Sequence, residues 1–282
     1  YYCFCVCYLI LFTGNLVMDK LVQYIKRFYL RIKYYRYGWK GNYADWKEAE
    51  AQCGGYYADN ILEKVKAATL KVKNGEAVYE RDSMLFDAVE YSWPLLTNLL
   101  WIAGKKNNSL SVIDFGGSLG SSYFQNRLYL NHLKEVKWSI VEQKSFVAAG
   151  KKEIAGEQLD FFETTDAAIE KRGQHDVLLL SCVLPYIENP FELLATLAEK
   201  NIPYLIIENT YFNPMPGNRL TIQKVPPVYY DATYPAWFLD YDQVVSVLNK
   251  QYQMLTEYTN DQILYLEGEM LFYKGFVMKK KT

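Results

Sequence analysis

The stretch Ser111-Val-Ile-Asp-Phe-Gly-Gly-Ser-Leu-Gly-Ser-Ser122 constrains the fold more than any other part of the chain. A short β-branched run ends in an acid, Asp114. Gly116, Gly117 and Gly120 follow, and Ser121 and Ser122 open a segment with helical spacing. Strand, glycine turn and helix in that order make a cradle for a nucleotide-like ligand. Small residues let the backbone turn sharply and approach such a ligand closely. The bland alternative is a tight turn with no ligand, because a glycine loop alone is a weak signal.

Two patterns compete for this loop. The dinucleotide fingerprint G-x-G-x-x-G, aligned on Gly117 and Gly120, has Phe115 at its first glycine. The second pattern is an acid with small residues two, four and six positions later. Here these are Gly116, Ser118 and Gly120, with Gly117 as an extra glycine. That second pattern suits a sulfonium cofactor, S-adenosylmethionine. Such a cofactor has no pyrophosphate to seat on a helix N-terminus, and Asp114 can anchor its methionine ammonium, directly or through water.

Downstream segments favour a ligand site. Val136–Glu142 reads as a second strand ending in an acid, and Glu142 lies 22 residues beyond Gly120. A carboxylate at about that distance meets ribose hydroxyls, from which it accepts two hydrogen bonds. Gln143 follows it. Leu159–Thr164 reads as a third strand, placing Glu163 and Thr164 near an adenine. The apolar run His175–Val183, with Ser181 and Cys182 at its end, has the composition of a central parallel strand. Pro203–Asn209 is another, again closing on an acid, Glu208.

These residues resemble a class I methyltransferase. More narrowly, the chain is similar to a methyltransferase family of bacterial surface-polysaccharide gene clusters. The likeness is carried by Val112–Arg127, Ser139–Gln143, Leu180–Ile187 and Tyr234–Phe238, and it runs from about residue 40 to the C-terminus. Ser118 departs from the pattern at its middle glycine. The resemblance implies S-adenosyl-L-methionine as cofactor, held by Asp114, Gly116, Gly117, Ser118, Gly120, Glu142, Gln143, Glu163, Thr164, Ser181 and Cys182. It also implies a doubly wound, Rossmann-like, mainly parallel seven-stranded sheet closed by an antiparallel hairpin. The acceptor it implies is a sugar or surface-glycan precursor.

The 31 basic and 32 acidic residues leave a formal charge of −1, so no basic excess points to nucleic acid. Five cysteines and two histidines show no metal-ligand spacing, and no metal is expected. Unpaired cysteines fit a reducing cytosol.

Residues 1–17 are almost wholly apolar and uncharged, too short for a membrane span and without a signal peptide's basic start. The first Met is Met18. A non-native or disordered extension is the expectation, with a fragment of a membrane anchor as the alternative. From Met18 to Lys40 there are seven Lys or Arg and one acid, with apolar residues at helical spacing. This amphipathic helix packs on the domain or makes peripheral contact with an anionic membrane surface.

Residues 18–105 are expected to form a helical N-terminal region, with helices at 56–73 and 83–104, Ser83 as cap and Pro94 as a kink. Residues 106–282 are expected to form the Rossmann-like domain. Its helices fall near 121–135, 143–155, 165–172, 189–200 and 240–251, and its last strands near 253–259 and 270–280. Tyr211–Asp240 reads as a long connection rich in proline and aromatics. Tyr229, Tyr230, Tyr234, Trp237 and Phe238 are candidates for an acceptor wall, or for plain packing.

Methyl transfer asks mainly for alignment, and a hydroxyl acceptor gains from a general base. Glu208 is the candidate base and Tyr186 a candidate positioning group. The rival functions are a nicotinamide-dependent oxidoreductase and a non-catalytic protein of methyltransferase fold. Oligomeric state is not legible.

Overall fold

The computed structural model describes residues 36–54, 58–229 and 231–281, together with Phe28. The expectations for residues 1–17, for most of the basic helix at 18–40 and for Tyr230 lie outside the described residues. The chain begins with β1 (Gly38–Tyr43), α1 (Trp46–Ala51), α2 (Ala58–Lys73), the strands β2 (Tyr79–Arg81) and β3 (Met84–Phe86), and α3 (Trp93–Lys105). Next come β4 (Ser109–Phe115), α4 (Ser121–Leu130), β5 (Glu135–Val141), α5 (Lys144–Ala149), β6 (Leu159–Phe162), α6 (Thr165–Arg172), β7 (Val177–Ser181), α7 (Pro190–Glu199) and β8 (Tyr204–Thr210). The chain then forms β9 (Arg219–Lys224), β10 (Thr233–Phe238), α8 (Tyr241–Leu248), β11 (Tyr252–Leu266) and β12 (Glu269–Lys280).

One large sheet organises the molecule, in the order β10-β9-β1-β11-β12-β8-β7-β4-β5-β6. Strands β6, β5, β4, β7 and β8 are parallel, and β12 runs antiparallel to β8 and to β11. The α/β, doubly wound class expected from the alternating pattern is therefore present, as is the final antiparallel hairpin. Leu178, Leu179 and Leu180 of β7 are all fully buried, as a strand covered by helices on both faces requires. From β4 the chain steps outward through β5 and β6, then returns to β7 on the other side of β4. Such a reversal of winding opens a crevice beyond the carboxyl ends of the two strands, where ligands bind in open α/β sheets.

Among the described residues the sheet has ten strands, not seven. The segment Tyr211–Asp240 is not a loop: it folds into β9 and β10, which pair antiparallel and, with β1, extend the sheet beyond β11. Pro235 sits in β10, the edge strand, where its missing N–H is tolerated.

The region before β4 also departs from an all-helical reading. β1 joins the main sheet, and β2 and β3 form a hairpin. The expected helix at 83–104 starts only at Trp93. Its cap is Ser92, whose Oγ accepts from the Leu95 N–H at 3.4 Å. Ser83 stands in the hairpin turn with φ of 66°. Pro94 lies in the first turn of α3, where its missing N–H is one of the unpaired donors, so it starts the helix and does not kink it. Among the described residues no helix is long and apolar enough to cross a membrane.

Candidate functional site

The glycine loop leaves β4 at the crevice. Gly116, Ser118 and Gly120 have φ of 70°, 53° and 101°, in the left-handed region that favours glycine. Space is short as well. A Cβ at Gly116 would lie 2.3 Å from Val183 Cγ2, and one at Gly117 would lie 2.5 Å from the Asp114 carboxyl carbon. Ser118 holds the strained conformation at a cost of about 1 kcal/mol. Its N–H donates to Glu142 Oε1 at 3.2 Å.

Asp114 lies beneath this loop and is fully buried. Trp138 Nε1 donates to its Oδ2 at 3.0 Å, while Oδ1 has no hydrogen-bond partner. Burial pushes its carboxyl up to about 7. The Trp138 donor opposes the rise and the Glu142 charge adds to it.

Glu142 follows the last residue of β5, whose Val141 pairs with Phe115 of β4. It therefore flanks the loop, as its spacing predicts. Its Oε2 accepts from the Gln143 N–H at 2.7 Å. Burial raises its carboxyl, against the two backbone donors of Gln143 and Ser118. Gln143 is exposed at the start of α5. Glu163 and Thr164 are exposed after β6, and Thr164 Oγ1 caps α6 by accepting from the Ala167 N–H at 3.1 Å. The cap engages the hydroxyl that the sequence assigns to an adenine.

Across the crevice, Ser181 of β7 pairs with Glu208 of β8. Cys182 follows with φ of 52°, and its N–H donates to the Glu208 carbonyl at 2.9 Å. Burial pushes its thiol up to about 12, so the sulfur stays protonated. The Tyr186 hydroxyl donates to Gln223 Oε1 of β9 at 2.9 Å, and burial holds this phenol well above the ordinary tyrosine range.

Glu208 is buried and enclosed by donors from two other elements. The Ser92 hydroxyl donates to Oε1 at 2.8 Å, Asn260 Nδ2 to Oε1 at 3.3 Å, and the Tyr258 hydroxyl to Oε2. Burial raises this carboxyl and the three donors oppose the rise. Gly275 makes room for the Tyr258 ring: a Cβ there would lie 2.4 Å from its Cε2. Sequence reasoning missed Ser92, Tyr258 and Asn260. They come from positions 116, 50 and 52 residues away from Glu208, so no local pattern marks them.

Among the described residues the aromatic candidates are divided: Tyr229 and Tyr234 pack against one part of the core, Trp237 and Phe238 against two others. Strand alternation puts Tyr234 and Phe238 on one face of β10 and Trp237 on the other. Phe238 is fully buried against Tyr211 and Trp39, with ring centroids 4.6 and 5.9 Å away. Trp237 pairs with Trp46 of α1 at 6.5 Å. Tyr234 lies edge-on to Tyr186 at 5.4 Å. His175 is a core residue whose Nε2 lies 2.9 Å from Ser139 Oγ; burial pushes its pKa down to about 4. Among the described residues no three His, Cys, Asp or Glu side chains are grouped to hold a metal.

No protein-family model matches the chain, and no curated protein matches it. Solved structures do. One is the N-terminal domain of EvdMO1 in the presence of SAH and D-fucose, at 14% identity over 80% of this chain and 98% of that one, with a TM-score of 0.45. Another is magnesium protoporphyrin IX methyltransferase from Synechocystis PCC 6803 with bound SAH, at 11% identity, 80% and 89% coverage and 0.44. A third is the glycopeptide N-methyltransferase MtfA complexed with SAH, at 13% identity, 63% and 86% coverage and 0.45.

Proposed function

We propose that this protein is an S-adenosylmethionine-dependent methyltransferase acting on a small polar acceptor, a sugar or surface-glycan precursor. The observation that carries the reading is the acid-and-glycine loop at the switch point of a sheet in which the antiparallel β11–β12 hairpin follows β8. The residues present suit the cofactor. Glu142 stands beside the loop, which suits a carboxylate for ribose hydroxyls, and the unpartnered Asp114 oxygen beneath the loop supports its role toward an ammonium, directly or through water. Glu163, Thr164, Ser181 and Cys182 border the same strand ends. The cofactor, when bound, supplies an activated methyl group.

The chain then has three tasks. The left-handed backbone at Gly116, Ser118 and Gly120 keeps side chains out of the cradle. Tyr186, tied to Gln223 across to β9, positions the acceptor side of the crevice. Glu208 is the general base for an acceptor hydroxyl, because burial strengthens its hold on a proton while Ser92, Tyr258 and Asn260 fix its orientation. Such chemistry belongs in the cytosol, and the basic stretch at 18–40 would add contact with an anionic membrane surface.

The test is transfer of labelled methyl groups from S-adenosylmethionine to glycan intermediates made by the native gene cluster. Label in a sugar fraction supports the reading. Label in none of them, with the cofactor bound, contradicts the acceptor class.

A further inference from the structure

The solvent face of α3 carries two tryptophans that the site described above does not use. Trp93 and Trp101 are 57% and 44% exposed. Exposed Thr97 stands between them, and at helical spacing the three lie within about a quarter of the helix circumference. Tyr91 and Tyr129 of α4 gather around Trp93. The ring centroids are 5.0 Å apart for Tyr91 and Trp93, 5.3 Å for Tyr91 and Tyr129 and 6.1 Å for Trp93 and Tyr129. Leu128, next to Tyr129, is 61% exposed. Large apolar side chains left in water where two helices meet mark an interaction surface.

Charge points to the partner. From Tyr91 to Lys134 the chain has one carboxylate, the buried Asp114, against Lys105, Lys106, Arg127 and Lys134. Lys106 pairs with Asp176 at 3.2 Å, and Arg127 donates to the Val72 carbonyl at 2.9 Å. Lys105 and Lys134 are exposed. Lys105 Nζ lies 4.7 Å from the centroid of the Trp101 ring, so cation and indole are presented together. The acids that flank the stretch in the chain, Glu90 and Glu135, are engaged by Arg81 at 3.1 Å and by Lys137 at 3.0 Å. Indole and phenol rings among cations, with no exposed acid between them, suit the headgroup layer of an anionic bilayer. A glycan would ask for side-chain amides beside the rings, but those of Asn98 and Gln125 donate to the Pro94 and Glu90 carbonyls.

We propose that the aromatic face of α3 and α4 docks on an anionic lipid surface. The rings of Trp93, Trp101, Tyr91 and Tyr129 enter the headgroup layer, and Lys105 and Lys134 meet the lipid phosphates. The proposal does not depend on the methyl donor or on the basic stretch at 18–40. Ser92, between Tyr91 and Trp93, donates to Glu208 at 2.8 Å, so the docked face borders the site.

Cosedimentation of the full chain with vesicles tests it. The vesicles are phosphatidylcholine alone, or phosphatidylcholine mixed with phosphatidylglycerol. The wild type should bind the mixed vesicles and bind phosphatidylcholine more weakly. Trp93→Ser/Trp101→Ser should bind the mixed vesicles about 10- to 100-fold more weakly. Trp93→Phe/Trp101→Phe keeps two apolar rings. It should still bind, but lose the quenching of tryptophan fluorescence that brominated lipid produces in the wild type. Unchanged binding by the serine variant would overturn the proposal, because the contact would then lie elsewhere in the chain. Equal quenching in wild type and phenylalanine variant would do the same, as would a wild type that binds no vesicles or binds both kinds equally. Self-association of the wild type without lipid, lost in the serine variant, would give the face to a second copy of the chain and overturn it too.

Discussion

The burial of Asp114 beneath the glycine loop ties the stability of the fold to pH. Its carboxyl is held at about 7 in the folded protein, against 3.8 for the ordinary group. The folded state therefore keeps this proton longer than the unfolded chain does. A raised carboxyl stabilises the fold at low pH, and that contribution is lost as pH rises from about 4 through about 7. The full loss is about 3 units at 1.36 kcal/mol each, or about 4 kcal/mol. Between pH 5 and pH 8 about 3 kcal/mol of it falls away. Asp114→Asn removes the titration and keeps an oxygen to accept from Trp138 Nε1. Urea denaturation at pH 5 and pH 8, wild type against variant, isolates this group, because the other titrating residues are common to both proteins. The variant should gain about 3 kcal/mol on the wild type between the two pH values. A difference that is the same at pH 5 and pH 8 would refute the argument, since Asp114 would then ionise alike in folded and unfolded chains.

Other perturbations separate the loop from its surroundings. Gly116→Val forces a side chain into Val183 at a φ of 70°; it should cost about 3 kcal/mol from overpacking and backbone strain, read by thermal melting, and abolish cofactor binding in calorimetry. Tyr258→Phe removes a donor from buried Glu208, so its carboxyl rises further; a stability loss of about 1–3 kcal/mol, larger at pH 8 than at pH 5, is expected in urea titrations. His175 is neutral in the fold down to about 4, whereas the unfolded chain protonates it near 6.5, so acidification between these values costs up to about 3 kcal/mol. His175→Asn should flatten that part of the stability curve, and an unchanged slope would count against it.

What the sequence revealed follows from how local each signal is. The strand–loop–helix at β4 and α4, and the parallel strands after it, are written in contiguous residues, and the structure has them within a few positions. Glu142 was legible because a fixed spacing carries it to the loop. The strands β9 and β10 were not, because prolines and aromatics in 211–240 mimic a loop until Pro235 is seen to occupy a sheet edge. Ser83 and Ser92 are equally good caps by composition; the hairpin turn takes the first and α3 the second. Trp237 is parted from Tyr234 and Phe238 because side chains of a strand alternate, which a list of aromatics ignores. The donors around Glu208 have no local signal at all. Only the folded sheet brings Ser92, Tyr258 and Asn260 to one carboxylate.

The ligand of the glycine loop decides the function of this protein. Isothermal calorimetry of the full chain with S-adenosylmethionine, S-adenosylhomocysteine and NAD measures this in one experiment. Saturable binding of both adenosyl-amino acids, lost in Gly116→Val, with no heat from NAD, is the predicted result. Binding of NAD with no response to either methionine-derived ligand would contradict the account.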